Sequence, residues 1–173
     1  LVGLAAQESY FRDGRESALG AKGVFQIMPN TWKGLGYKPE DINSFALQAE
    51  GMCRHFDHIY RYLMGKGAKT MQFVRDAYFF GDEEKFLSYF LTPVMINAYN
   101  AGQGRLLNII TSLIDKYPTR KSLRDIIPVA THEVDGYNVF EALTRYGPHA
   151  DPEYKDDAYV IRIWALSSLL QKG

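Results

Sequence analysis

Apolar residues recur every three to four positions along almost the whole chain, and alternating runs bounded by hairpin turns are missing. That spacing lines one face of a helix and offers nothing to a sheet, so an all-α class is expected. Asn43 or Ser44 can cap a helix with apolar positions Phe45, Ala49, Met52, Phe56, Ile59, Tyr60 and Leu63, ended by Gly65 and Gly67. Residues 70–80 read as helical, and Asp82 can cap a short helix after them. Thr92-Pro93 reads as an N-cap with proline at the first helical position, and Gly102 and Gly104 break that helix. Leu106, Leu107, Ile110, Leu113 and Ile114 form a further stripe closed by Pro118. Residues 119–150 look least regular, with Pro128, Gly136 and Gly147-Pro148. Asp151-Pro152 is expected to open a last helix with Tyr159, Ile163, Leu166 and Leu170 on one face.

No linker, repeat or low-complexity tract divides the 173 residues, which suits one domain over 1–173 with a real core. Twenty basic and twenty acidic residues cancel, which argues against a nucleic-acid binder that relies on a cationic field. No apolar run approaches the roughly 20 residues of a membrane span. One cysteine, Cys53, excludes a disulfide framework and a multi-cysteine metal site; on its helix it reads as inert core. The chain opens on Leu1 without Met or a signal-like segment, so a mature form or excised piece is expected.

Chemistry concentrates in three stretches. Leu4-Ala5-Ala6 leads into Gln7-Glu8-Ser9 and Tyr10-Phe11, placing an acid at the end of an apolar helix beside aromatic residues. Desolvation there raises a carboxyl pKa, as a general acid near neutral pH requires; the plainer alternative is a glutamate facing water. Ser17 to Pro29 then carries Gly20 and Gly23 and the run Val24-Phe25-Gln26-Ile27-Met28. A buried Gln26 needs partners for both halves of its amide, and a sugar acetamido or hydroxyl group suits; an exposed Gln on a glycine-rich turn is the alternative. Third, Asn97-Ala98-Tyr99-Asn100-Ala101-Gly102 offers a phenol and an amide at a helix end, or else a core Tyr and a C-capping Asn.

Together these pieces resemble the soluble-type lytic transglycosylase (SLT) domain, glycoside hydrolase family 23, of the lysozyme-like superfamily that also holds the goose-type lysozymes. The matching residues are Glu8-Ser9, Ser17 through Pro29, and Ala98 through Gly102, in family order and with eighteen residues from Glu8 to Gln26. Weaker likeness covers Asn43–Phe56 and Tyr159-Val160. The resemblance implies a lysozyme-like helical domain and Glu8 as the single catalytic acid/base. Gln26 and Met28 would line the cleft, and Ser17, Tyr99 and Asn100 would hold the acetamido group or orient Glu8. Ser9, Gly23 and Tyr159 would support the site.

The implied reaction is cleavage of the β-1,4 bond between MurNAc and GlcNAc of peptidoglycan, leaving 1,6-anhydroMurNAc ends. Neither cofactor nor metal is implied, nor a nucleic-acid partner. A monomer acting on glycan strands in the periplasm or bacterial envelope is expected. Most glycosidases use two carboxylates, and neither Asp13 nor the triplet Asp82-Glu83-Glu84 makes a convincing second one; the triplet reads as a helix N-terminus. The rival readings are a hydrolytic muramidase of the same fold and a non-catalytic glycan-binding domain.

Residues 65–92 depart from the family pattern and suggest a helical insertion. Eleven of the 24 aromatic residues fall between Phe56 and Tyr99, many of them in this stretch. They either extend a glycan groove or form the core of an extra helical pair. His55 and His58 lie a turn apart but lack the third ligand of a zinc site.

Overall fold

The computed structural model describes residues 1–123, 136–154 and 159–170. Among them the protein is all-helical: α1 (Val2–Ser9), α2 (Pro29–Gly34), a 3-10 turn (Pro39–Asn43), α3 (Phe45–Gly65), α4 (Ala68–Phe79), α5 (Glu83–Phe86), α6 (Thr92–Ala101), α7 (Gln103–Lys116), α8 (Arg120–Leu123), α9 (Gly136–Ala150) and α10 (Tyr159–Leu170). Among the described residues extended pairing is limited to two isolated bridges, Glu16 with Lys22 and Lys22 with Ile27. No helix among the described residues is long and apolar enough to cross a membrane.

The chain divides into two compact units, Leu1–His58 with Ala158–Gly173, and Ile59–Asp157. In the first unit α1 buries Leu4, Ala5 and Ala6 while α10 buries Tyr159, Val160 and Ile163. The two helices pack together, and Gly3 lets them close: a side chain there would run into the Ile163 carbonyl and Ser167. Trp32 is fully buried on α2, donates from Nε1 to the Lys38 carbonyl at 2.7 Å and stacks on Tyr37 at 4.3 Å between ring centres. At the start of α3 the Ser44 hydroxyl accepts from the Leu47 N–H, the expected cap.

The second unit holds α4 to α9. Phe79, Phe86 and Phe90 form a buried triangle with centroid separations near 6 Å (6.0, 6.1 and 6.0 Å). Tyr78 is buried beside Phe73 and donates its hydroxyl to the Tyr117 carbonyl at 2.5 Å. Much of the aromatic block between Phe73 and Phe90 is therefore core, with Phe80 and Tyr89 exposed.

Four expectations need correction. Asp151-Pro152 does not open the last helix, because Pro152 and Glu153 form a turn. Thr92 is not a helix cap, because helical backbone already runs through Leu91. Leu87–Leu91 is a π turn whose Thr92 N–H bonds to the Leu87 carbonyl, five residues back; the wider turn carries the chain up to Pro93, which has no N–H to give. Gly136 and Gly147-Pro148 do not break the chain, since they lie in the first and last turns of α9. Buried Val139, Phe140, Leu143 and Tyr146 supply its helical stripe; Pro128 lies outside the described residues. Cys53 is exposed and not core, being one step of about 100° from buried Met52.

Candidate active site

Helix α1 ends abruptly. Tyr10 and Phe11 both take left-handed backbone (φ 56° and 60°), and their N–H groups close on the Ala6 and Ala5 carbonyls. This is a terminus that usually carries glycine, and each non-glycine residue in it costs about 1–2 kcal/mol. Ser9 is buried beneath the turn: its hydroxyl donates to the Ala5 carbonyl at 3.3 Å and accepts from the Arg12 N–H at 3.1 Å. Ser9 thus shapes the helix end that presents Glu8.

Glu8 is half-buried. The Tyr159 hydroxyl, at the start of α10, donates to its Oε1. Burial pushes the Glu8 carboxyl above its ordinary range, while the Tyr159 hydrogen bond and the Arg15 charge pull the other way and do not cancel it. Arg15 is the charged group whose field pulls the Glu8 carboxyl down. Asp13 lies beyond the end of α1 and is exposed.

A closed loop follows. The Ser17 hydroxyl accepts from the Ala21 N–H at 3.0 Å, and Lys22 and Ile27 exchange both backbone bonds at 3.0 Å. The Arg15 carbonyl accepts from the Gly23 N–H at 2.8 Å and from Gln26 Nε2 at 3.0 Å. Gln26 also donates to the Gly23 carbonyl at 2.9 Å and sits in left-handed backbone, φ 50°. Both amide hydrogens of Gln26 are spent on the loop, which leaves its carbonyl oxygen as the atom able to meet a ligand. Ser17 likewise staples the loop, and Met28 is exposed at the start of α2.

Gly23 has φ 76°, and a Cβ there would overlap the side-chain amide of Gln48. Gln48 is fully buried on α3; its Oε1 accepts from the Phe25 N–H at 3.1 Å and its Nε2 donates to the Ile42 carbonyl. No sequence motif marks Gln48, although it stands one turn before Met52 on the buried stripe of α3, where a polar residue signals a required partner.

Glu8, Ser9, Ser17, Gly23, Gln26, Met28 and Tyr159 all belong to the first unit. Within it Glu8 and Tyr159 touch directly, and Gly23 and Gln26 share one carbonyl partner. Tyr99 and Asn100 occupy the last turn of α6 in the second unit, half-buried and exposed respectively. Near them Asn97 is fully buried and its side-chain amide donates to the Tyr154 hydroxyl at 2.5 Å. No group of three metal-ligating side chains exists among the described residues.

The first unit offers a desolvated carboxyl with a phenol donor at one helix end, beside a loop held rigid by its own backbone. Burial favours the protonated form of such a carboxyl, and that form is the one able to deliver a proton. No family model, curated protein or solved structure matches the chain.

Proposed function

We propose that the protein is a peptidoglycan lytic transglycosylase of lysozyme-like fold, with Glu8 as its single acid/base. The observation that carries the reading is Glu8 itself, half-buried, pushed toward its protonated form and held by Tyr159. The matched motifs at Ser17 through Pro29 and Ala98 through Gly102 supply the substrate class.

Protonated Glu8 gives its proton to the glycosidic oxygen between MurNAc and GlcNAc as the C1–O bond breaks, and the GlcNAc 4-hydroxyl leaves. The MurNAc acetamido carbonyl bonds to C1 in its place. Glu8, now a carboxylate, removes the proton from the C6 hydroxyl, and that oxygen attacks C1 and displaces the acetamido group. Glu8 ends protonated again, a 1,6-anhydro ring closes, and no water is consumed. Tyr159 keeps the carboxylate oriented between the two steps. The Gln26 carbonyl oxygen, with Ser17 and Met28 of the same unit, receives the sugars; a substrate of this kind implies the periplasm or envelope.

A hydrolytic muramidase of inverting type would need a second carboxylate about 6.5–9.5 Å from Glu8 to position water. Mass spectrometry of products from purified murein tests the choice. Anhydro-ended muropeptides support the lyase, whereas reducing ends would assign hydrolysis, and binding without cleavage would assign a glycan-binding domain.

A further inference from the structure

Tyr10 and Phe11 hold a strained backbone without the burial that normally offsets it. Their rings are 69% and 45% exposed, although both φ values are ones that glycine or asparagine adopts more readily. An exposed aromatic residue in such a position gains little from packing, which points to a ligand outside the folded chain. The rings also stand at the helix end that carries Glu8: two residues of extended chain span at most about 7 Å, so Tyr10 cannot lie far from the acid.

We propose that Tyr10 and Phe11 form a stacking platform for a pyranose ring of the glycan strand beside the Glu8 site, an inference that rests on the glycan-cleaving reading of Glu8. The axial C–H faces of a pyranose are apolar and uncharged, and an exposed aromatic face is their complement. The Ser9 bond to the Arg12 N–H and the two backbone bonds to Ala5 and Ala6 fix the turn, so little ordering remains to be done when a sugar arrives. A stacked ring at this helix end would set the strand's register with respect to the proton of Glu8.

Calorimetric titration with chitotetraose of the Glu8→Gln chain, alone and combined with Tyr10→Gly or Tyr10→Phe, tests the platform. The expected result is a dissociation constant about fivefold higher for Tyr10→Gly, roughly 1 kcal/mol, and unchanged for Tyr10→Phe. Thermal melting of the same proteins is expected to show Tyr10→Gly no less stable than its parent, with Tm unchanged or raised by about 2–4 °C. Unchanged affinity in Tyr10→Gly, weakened binding in Tyr10→Phe or a lower Tm in Tyr10→Gly would overturn the platform. So would a parent that binds no chitotetraose. Murein cleavage by the wild-type chain is scored separately, so the Glu8 reading can stand or fall without the platform.

Discussion

Tyr159 donates a hydrogen bond to Glu8 from 151 residues further along the chain, joining the last described helix to the end of the first. The phenol stabilises the carboxylate, and burial opposes it more strongly, so Glu8 keeps a raised pKa while its orientation is fixed.

Tyr159→Phe removes the donor and leaves the burial. The Glu8 pKa then rises further, because the lost hydrogen bond favoured the charged form. Activity that needs protonated Glu8 falls as pH rises through that pKa, so the alkaline limb of kcat/KM moves to higher pH in Tyr159→Phe. A pH–rate profile of both proteins checks the direction; a shift to lower pH contradicts it.

Glu8 also sets a sign for stability. Its folded pKa lies above its unfolded value, so its contribution is fully present below the ordinary carboxylate range and is lost as pH rises through the folded pKa. Glu8→Gln carries no charge to desolvate and is expected to raise Tm at pH 7 more than at pH 4. Melting curves at the two pH values measure this, and an equal change at both would contradict it.

Gly23→Ala tests the loop. Its Cβ would enter the space of the Gln48 amide, and alanine at φ 76° is strained in any case. The expected loss is about 2 kcal/mol or more, a fall in Tm of roughly 4 °C or more. Gln48→Ala removes the Oε1 that accepts from the buried Phe25 N–H and is expected to cost about 1–3 kcal/mol. Thermal melting reads both; wild-type stability in either would contradict the packing.

Cys53 should react in the native state. It is exposed on α3, so a chromogenic thiol reagent is expected to titrate one thiol without denaturant, and Cys53→Ser is expected to change stability by less than about 0.5 kcal/mol. A thiol that reacts only after unfolding would contradict the exposure.

How far the sequence could be read depends on how local the cause was. Helix α3 was legible because one apolar stripe, a serine cap and terminal glycines agree. Helix α9 was not, because glycine and proline at its ends outweighed the stripe of Val139, Leu143 and Tyr146 between them. The π turn before Pro93 leaves no periodic mark, so in the sequence the proline reads as a beginning. In the site, the desolvation of Glu8 could be read from Leu4-Ala5-Ala6. Tyr159 entered only through a resemblance, and the seating of Gly23 against Gln48 joins residues twenty-five apart that no local pattern pairs. The residue types around Gln26 point its amide donors at a ligand, because the φ that turns the amide onto its own loop is not written in them.

The central claim is that one carboxyl, Glu8, does the acid and the base work on peptidoglycan. It is tested most directly by incubating purified murein with the wild-type chain and with Glu8→Gln, then quantifying released muropeptides by mass spectrometry. Wild type is predicted to release 1,6-anhydro products and Glu8→Gln at least about 10²–10⁴-fold fewer. Equal release by the two proteins would contradict the account.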